Sequence, residues 1–390
     1  MNLTLLAPRH PDTVRDALVR RGMSESKATA AARGLDPVVI VLDDLTQAEL
    51  DAAVVAAQQQ GIECITGADW TLLSGSTSGL ASLMRSGADR VPARILHEIG
   101  SRLHEMVETP DHWVTERGRI DLTHPAVVGI LNVTPDSFSD GGEYLEPTAA
   151  IERATELIAA GADLLDLGAE STRPGRPQPV PAGEEWRRLE PVLTELVRNH
   201  AETPVSVDTV KADIAARALD AGAWIINDVS ALRFDPRIAN VCAARGAGLI
   251  LMHSRGSFSE IATYDHASYH DVTSETLREL DRSVATAETA GVGRERIVLD
   301  PGLGFAKRPD HNYEILKRVS ALASHGFPVM IGPSRKRFLG TVTGKDAAER
   351  DAATAAVCAA AFTQGVRLFR VHEVGLVREV VDIVGAIEEA

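Results

Sequence analysis

Apolar and amphipathic segments alternate along the chain from residue 127 onward. Apolar runs of strand length lie at 127–133, 164–169, 205–208, 224–229, 249–253, 297–300, 328–332 and 367–371. Between them, helical periodicity predicts helices over 149–160, 184–199, 210–221, 268–290, 312–323, 347–364 and 374–388. Eight strand–helix units in about 260 residues is the size of a parallel (β/α)8 TIM barrel, the fold that we predict. A doubly wound open sheet is the alternative, because alternation alone does not prove that the sheet closes.

The first part of the chain has a different pattern and predicts a small α/β domain. We place this domain at residues 1–115 and the barrel at 116–390. Strands are predicted at 3–6, 38–42 and 62–66, and helices from residue 11, over 46–60 and over 92–107. The helix over 46–60 begins with Thr46 and Glu49 in the spacing of a capping box. The Gly/Ser-rich segment 67–79 could cradle a phosphate, but it has no lysine, so a solvated loop is the favoured interpretation. We assign no chemistry to this domain.

Composition and charge narrow the possible functions. The 390 residues are 44% hydrophobic and 24% charged, as in ordinary globular proteins, and the net charge is −15, which argues against a nucleic-acid partner. No apolar run approaches the roughly 18 residues that span a bilayer, and the N-terminus has no signal-peptide pattern. Cys64, Cys242 and Cys358 are scattered, which indicates buried thiols in a reducing compartment. We therefore predict a cytoplasmic protein without a membrane partner.

Polar side chains follow most of the predicted strands at their carboxyl ends. These residues are Asn132, Thr172, Arg173, Asp208, Asn227, Asp300, Ser334, Lys336, Arg370 and His372. TIM-barrel enzymes build their active sites on this one face. The pattern therefore predicts that these side chains converge on a single site.

The segment that follows the first predicted barrel strand identifies a family. Residues 129–142 read GILNVTPDSFSDGG, which closely resembles the signature of dihydropteroate synthases. The resemblance extends from near Trp113 over roughly the last 275 residues. It implies a transferase that condenses 6-hydroxymethyl-7,8-dihydropterin diphosphate with 4-aminobenzoate. The products are 7,8-dihydropteroate, for folate synthesis, and diphosphate, formed in a Mg²⁺-assisted and largely dissociative substitution.

The resemblance also implies which residues bind the pterin. Asp208 and Asp300 would accept hydrogen bonds from the aminopyrimidinone edge, with Asn227 beside them. A buried carboxylate can accept such donors in pairs. Lys336 would donate to the ring, and Phe305 would lie nearby. The alternative for each Asp is that it caps the helix that follows.

A second set of residues is implied for the diphosphate. Arg370 and His372 are two residues apart on the last strand, so their side chains share a face. Asn132 is implied as a protein ligand of Mg²⁺, whose other ligands would be substrate oxygens and water. The alternative for Arg370 and His372 is a salt bridge with the neighbouring Glu373.

The loops after the first two strands are long and polar, and we expect them to close over the site. The resemblance implies that Arg173 pairs with Asp140 and that Thr172 lines the aminobenzoate pocket. Phe138 and Pro174 are the other loop residues expected to contact substrate. Mobile surface loops are the plainer interpretation. The residues implied in catalysis are Asp140, Arg173, Lys336, Arg370 and His372.

For 4-aminobenzoate, the segment Ser334–Arg337 is predicted to begin a helix, and helix N-termini favour carboxylates. Many family members have Ser after the Lys, whereas this chain has Arg337, so we treat the role of Arg337 in substrate binding as open. His253 is expected to be structural rather than catalytic.

The sequence leaves two alternative functions. A pterin-binding barrel that transfers a methyl group from methyltetrahydrofolate to a corrinoid protein would not need the diphosphate residues found here. A non-catalytic, pterin-binding paralogue would usually have lost a residue of the site, and none is lost. The family resemblance further implies a homodimer and a target of sulfonamides.

Overall fold

The computed structural model describes residues 19, 23–27, 38–42, 45–87, 91–97, 99–100, 110–133, 147–170 and 180–389. The chain divides into two compact units, Met1–Glu108 and Thr109–Ala390. This division lies before the boundary that the sequence placed after residue 115. The strand and helix predicted within the first 18 residues lie outside the described residues.

The N-terminal unit contains a three-stranded antiparallel sheet. Strand Thr71–Gly75 lies in the middle, between Val38–Leu42 and Glu63–Thr66. Helix Gln47–Gln58 begins at the predicted capping box, in which the Thr46 side chain accepts from the Glu49 backbone. The prediction of a loop over 67–79 is wrong, because this segment holds the central strand and the start of helix Thr77–Ser86. Residues 93–97 and 99–100 are helical, as predicted.

The second unit is a closed parallel barrel, which confirms the predicted fold. Its eight strands, numbered first to eighth in chain order, are Ala126–Asn132, Leu164–Gly168, Val205–Asp208, Ile225–Asp228, Gly248–Met252, Ile297–Asp300, Met330–Ile331 and Leu368–Val371. Neighbouring strands pair in the order sixth, fifth, fourth, third, second, first, eighth, seventh. A parallel bridge between Leu299 and Val329 joins the two ends of this series and closes the barrel.

Helices follow the strands and cover the outside of the barrel. They span Pro147–Ala159, Ala182–Asn199, Ala212–Asp220, Arg237–Arg245, Val272–Thr289, Pro309–Lys317, Ser320–Ala323, Arg337–Thr343, Asp351–Phe362 and Val374–Glu389. Helix Arg237–Arg245 was not predicted, since it is short and begins directly after Pro236. Cys242 and Cys358 are buried in this layer, and no helix of the described residues is long and apolar enough to cross a membrane.

A short β-hairpin closes the lower end of the barrel, which is the end formed by the amino termini of the strands. Strands His112–Thr115 and Gly118–Asp121 form it, and its Trp113 is fully buried. The Trp113 indole N–H donates to the backbone carbonyl of Arg296 at 2.9 Å. A Cβ atom on Gly248 would lie 2.9 Å from the indole, so glycine is what allows this close approach. Trp113 belongs to one buried apolar cluster with the inward-facing residues Val128, Leu164, Ile225, Ile250, Val298, Met330 and Leu368.

Replacing Trp113 by Ala is expected to destabilise the barrel strongly. The change leaves a cavity at the lower end and an unpaired carbonyl, which together cost about 3–5 kcal/mol. Trp113→Phe is the matched control, because it keeps most of the aromatic volume and loses only the hydrogen bond. Urea unfolding of both variants measures the difference. Equal unfolding free energies for wild type and Trp113→Ala would show that the hairpin does not seal the barrel.

Candidate active site

A polar layer lies inside the barrel, above the apolar lower layer. Alternate residues of each strand point inward, so Leu164 and Asp166 of the second strand face the same interior. Asp166, Ser206 and Asn227 are 0–2% exposed, and Arg370 enters this layer from the eighth strand. The barrel therefore carries polar groups where an aliphatic core would otherwise continue.

Arg370 is held between two carboxylates. Its Nε lies 2.5 Å from Oδ2 of Asp166, and its Nη2 lies 3.3 Å from Oδ2 of Asp208. Burial opposes the charge of Arg370, but the two carboxylates outweigh it and raise the pKa of the guanidinium. Burial, and then the charge of Asp166, raise the pKa of Asp208 to about 8, against the opposing effect of Arg370. The three groups form a charged cluster with one more carboxyl than cation.

Asn227 lies beside this cluster with its amide held in one orientation. It is paired with Asp208 in the register of the third and fourth strands. Its Nδ2 donates to Oδ2 of Asp166 at 3.1 Å, whereas its buried Oδ1 has no hydrogen-bond partner among the described residues. The Asn227 side chain therefore presents an acceptor close to the carboxyl of Asp208.

Asp300 and Lys336 form an acceptor and a donor on the opposite wall. Asp300 ends the sixth strand, is 3% exposed and accepts the Gly302 N–H at 2.7 Å. Lys336 donates to the carbonyl of Leu303, and its Nζ lies 4.5 Å from the ring centre of Phe305. Burial raises the pKa of Asp300, opposed by Lys336, and burial lowers the pKa of Lys336 to about 8. The segments after the sixth and seventh strands thus bring a carboxyl, an aromatic ring and an amine together.

His372 has a fixed ring orientation. The Ser334 hydroxyl lies 2.8 Å from Nδ1 of His372 and accepts the backbone N–H of the same residue at 3.1 Å. The hydroxyl can donate its own proton to Nδ1. In a neutral ring the proton is then assigned to Nε2. His372 can therefore offer an Nε2–H group on the same face as Arg370.

Asn132 ends the first strand near Asp208. A Cβ atom on the intervening Gly168 would lie 3.5 Å from both Oδ1 of Asn132 and Cβ of Asp208, so glycine brings these side chains close together. No group of three or more His, Cys, Asp or Glu side chains among the described residues could hold a metal ion. The amide oxygen of Asn132, with Asp208 nearby, fits Mg²⁺, because this ion takes one or two protein oxygens and completes its shell with phosphate oxygens and water.

The arginines of the segment 334–337 have different partners. Arg335 makes a bidentate ion pair with Asp351, with N–O distances of 2.7 and 2.8 Å. Arg337 is exposed, donates to the Ala262 carbonyl at 2.8 Å and lies over the ring of Tyr264 at 4.8 Å. The guanidinium of Arg335 therefore stabilises the fold through its ion pair, whereas Arg337 lies at the exposed rim of the site.

Comparison with known families decides what kind of barrel this is. The profile of a family described as pterin binding enzymes matches residues 128–372, which is more than half of the chain. The chain belongs to the pterin-binding enzyme family. The match begins within the first barrel strand, so the N-terminal unit lies outside it.

Relatives within the pterin-binding family are dihydropteroate synthases. The Mycobacterium leprae dihydropteroate synthase is 42% identical over 273 residues, covering 68% of this chain and 95% of the relative. The Synechocystis enzyme is 39% identical over 262 residues, covering 67% of this chain and 89% of the relative. These relatives confirm the resemblance seen in the sequence and the predicted enzyme class, a transferase.

Solved structures of dihydropteroate synthases from other organisms share the fold of this chain. Xanthomonas albilineans dihydropteroate synthase with 4-aminobenzoic acid has a TM-score of 0.65 and 40% identity, covering 70% of this chain and 96% of that one. The same enzyme in complex with 7,8-dihydropteroate has a TM-score of 0.63 and 37% identity, covering 70% and 97%. The Yersinia pestis enzyme with a sulfonamide drug has a TM-score of 0.67 and 35% identity, covering 72% and 100%.

The predicted convergence of strand-end residues is present for those that the structure describes. Asp208, Asn227 and Arg370 belong to one charged cluster, Asp300, Lys336 and Phe305 lie together, and His372 contacts Ser334. Their roles in binding and catalysis stay predictions. The loop residues Phe138, Asp140, Thr172, Arg173 and Pro174 lie outside the described residues.

Sequence reasoning missed Asp166 in this pterin-binding barrel. It joins Arg370 and Asn227, and it is fully buried. The available signal was a single acidic residue inside the apolar strand LLDLG, at a position facing the barrel interior. A charge at such a position needs buried partners.

Lys307 was also missed. It is 1% exposed, and its Nζ lies 2.8 Å from Nδ1 of His253 and donates to the Phe305 carbonyl at 3.2 Å. Burial lowers the pKa of Lys307 to about 7, and burial together with Lys307 lowers the pKa of His253 to about 3. Neutral His253 can then donate from Nε2 to Glu279, at 2.9 Å. His253 thus has buried structural contacts, in line with its predicted role.

Proposed function

We propose that the chain is an active dihydropteroate synthase, which joins 6-hydroxymethyl-7,8-dihydropterin diphosphate to 4-aminobenzoate. The observation that carries this proposal is the unpartnered, buried Oδ1 of Asn227 beside the carboxyl of Asp208. Buried acceptors are normally hydrogen-bonded, so this atom indicates a ligand with N–H donors. Relatives of this chain supply such a ligand, since one has been solved with 7,8-dihydropteroate.

The described residues fit a flat, polar pterin ring. Asp208, Asn227 and Asp300 supply acceptors for the N–H groups of its pyrimidinone edge, and Lys336 supplies a donor for a ring oxygen or nitrogen. Lys336 already lies over the Phe305 ring, so both would contact the pterin from one side. A site that hydrogen-bonds its substrate this way rejects analogues lacking those groups.

The opposite part of the site fits the diphosphate. Arg370 can offer its Nη groups, and His372 its Nε2–H, to phosphate oxygens. Asn132, with Asp208 close by, would hold Mg²⁺. When bound, the ion would neutralise charge on the departing diphosphate.

The reaction follows from these positions. The bond between the pterin methylene carbon and the diphosphate oxygen breaks, and the 4-aminobenzoate nitrogen forms a bond to that carbon and loses a proton. Arg370 and His372 stabilise the negative charge on the leaving group, while the carboxyls of Asp208 and Asp300 stabilise the cationic pterin. No protein nucleophile is needed. Exclusion of water by the loops that carry Asp140 and Arg173 stays a prediction.

The carboxylate of 4-aminobenzoate is proposed to bind at the rim of the site. Ser334 and Lys336 are the neighbouring residues predicted for this substrate, and exposed Arg337 carries a guanidinium that could pair with a carboxylate. This arrangement is proposed for sulfonamides as well, which would compete with 4-aminobenzoate. A relative from Yersinia pestis has been solved with a sulfonamide drug.

One assay tests the activity. The full chain is mixed with Mg²⁺, the pterin diphosphate and 4-aminobenzoate, and both diphosphate and dihydropteroate are quantified. We expect equal amounts of both products, formed only when both substrates are present, and less of both when a sulfonamide is added. Pterin binding without any product would identify a non-catalytic paralogue. Methyl transfer from methyltetrahydrofolate would identify the corrinoid-linked alternative.

The assembly state and location stay predictions. For a homodimer, the last two helices offer exposed apolar side chains, which include Ala352, Ala356, Ile383 and Ile387. Such a face is what a helix-packed subunit interface needs. The predicted cytoplasmic location rests on the sequence alone.

A further inference from the structure

We propose that Asp166 is the positioning residue of this site, which fixes the amide of Asn227 for pterin recognition and the guanidinium of Arg370 for the diphosphate. The inference deepens the proposed function and rests on it. It concerns a residue that does not itself face the substrates. Its evidence is the set of contacts that Asp166 makes inside the barrel.

Asp166 accepts three hydrogen bonds in a fully buried position. Its Oδ1 accepts from the Ser206 hydroxyl at 2.7 Å. Its Oδ2 accepts from Nδ2 of Asn227 at 3.1 Å and from Nε of Arg370 at 2.5 Å. The three partners lie on the third, fourth and eighth strands, so one carboxylate ties together residues from distant parts of the chain.

The contact with Asn227 decides which end of its amide faces the ligand. An ionised carboxylate only accepts hydrogen bonds, so the NH₂ end of the amide must face Asp166. Oδ1 is then turned away and lacks a partner among the described residues. Without the charge at Asp166, the amide could rotate and present donors instead. A pterin N–H group would then meet a donor rather than an acceptor.

The contact with Arg370 decides which of its N–H groups remain for the diphosphate. Nε of Arg370 donates to Asp166, whereas Nη2 donates to Asp208. Nε and Nη2 are thus both held by carboxyl groups, and the remaining Nη hydrogens are the ones that we propose for phosphate oxygens. A flexible side chain loses affinity when it must be ordered on binding, so holding the guanidinium in advance favours the bound state.

A purely structural role does not account for this arrangement. Buried ion pairs are often no more stabilising than well-packed apolar side chains of the same size. Barrel interiors are usually filled with branched aliphatic residues, as the lower layer is here. An aliphatic residue at position 166 would serve the fold, whereas the carboxylate serves the polar groups around it.

The test compares pterin and aminobenzoate recognition in the full chain carrying Asp166→Asn. The variant nearly keeps the shape of the side chain but removes its charge. We expect the dissociation constant for 6-hydroxymethylpterin to rise about 10- to 100-fold, the effect of losing a charge-assisted hydrogen bond. The KM for the pterin diphosphate should rise likewise, whereas the KM for 4-aminobenzoate should stay within about 3-fold. Equal losses for both substrates, or a lower kcat with both constants unchanged, would overturn the inference.

Two further variants separate positioning from folding. Ser206→Ala removes one hydrogen bond to Asp166 without touching Asn227 or Arg370, so we expect it to change pterin affinity by less than about 3-fold. In an Asn227→Ala background, Asp166→Asn should weaken binding of 6-hydroxymethylpterin little further, because the residue acts through Asn227. Additive losses would contradict this coupling.

One measurement needs no change at Asp166. The side-chain amide protons of Asn227, assigned by loss of their NMR signal in Asn227→Ser, should be protected from exchange before and after pterin binds. Deprotection in the free protein would contradict the Asp166 contact, even if Asp166→Asn fails to fold. A wild type that binds pterin but releases no diphosphate would refute the proposed activity and leave this inference standing.

Discussion

Replacing Asp208 by Asn is expected to remove most of the turnover while leaving the protein folded. The variant keeps the size of the side chain, but it cannot release a proton to become the carboxylate that would stabilise the cationic pterin. Losing one such electrostatic contact costs about 100- to 1,000-fold in kcat. Arg370 retains its ion pair with Asp166, so the cluster keeps one balanced pair. Steady-state kinetics on the purified variant measures the effect, and unchanged turnover in a folded variant would refute the proposed mechanism.

The stability of Asp208→Asn relative to wild type should increase as the pH rises. The pKa of Asp208 is raised to about 8 in the folded protein, from an ordinary value of 3.8. Between these values the folded state binds a proton that the unfolded chain has released. The contribution of Asp208 to stability therefore falls as the pH rises through this window. Asn has no proton to lose, so the melting temperature of Asp208→Asn relative to wild type should increase from pH 5 to pH 8.

The size of this gain is measurable by calorimetry at the two pH values. A change of about 1 kcal/mol corresponds to about 2–4 °C in a domain of this size. Glu184→Gln is a suitable control, since its carboxylate lies on the outer helix Ala182–Asn199 and its pKa is lowered rather than raised, to about 2. That control should show no gain between pH 5 and pH 8. A constant difference between Asp208→Asn and wild type would mean that Asp208 is ionised throughout this range.

Replacing Arg370 by Met is expected to cost both activity and stability. Arg370 is the cation that balances Asp166, which is fully buried. Removing one partner of a buried pair leaves an uncompensated charge and costs about 3–5 kcal/mol. The proposed diphosphate site also loses its arginine, so activity should fall below detection. Urea unfolding and the diphosphate-release assay measure the two effects separately.

A double variant separates the loss of stability, caused by the unpaired charge of Asp166, from the loss of activity, caused by the missing arginine. Adding Asp166→Asn to Arg370→Met removes the unpaired charge, so most of the lost stability should return. Activity should not return, because the leaving group still has no arginine. If the double variant is as unstable as Arg370→Met alone, the instability comes from lost packing and not from the buried charge.

The barrel was predictable because its strands are buried on both faces. Such strands read as continuous apolar runs, and each predicted run overlaps a strand of the structure. The central strand Thr71–Gly75 of the N-terminal unit was missed for the opposite reason. Only Thr71 and Leu73 of this strand are buried, and the Ser and Gly residues around them resemble a loop. Local composition was misleading where pairing with two neighbouring strands determines the structure.

The site was predictable only at the strand ends. Asp208 and Asp300 follow apolar runs, where a polar residue stands out. Asp166 lies within such a run, and its partners come from three other strands that the sequence does not place. Lys307 precedes Arg308 in a polar loop, and its burial depends on His253, more than 50 positions earlier in the chain. Burial caused by distant segments leaves no local pattern to read.

The hairpin that carries Trp113 has a consequence for the order of events in catalysis. Because the hairpin closes the lower end, the barrel interior that the structure describes is open to solvent only at the carboxyl ends of the strands. The deepest groups, Asn227 and Asp300, are 2–3% exposed, whereas Arg337 lies at the rim. We expect a ligand bound at Arg337 to hinder access to these buried groups. If 4-aminobenzoate binds at Arg337 as proposed, we expect the pterin diphosphate to enter first and 4-aminobenzoate second, and an excess of 4-aminobenzoate to slow turnover.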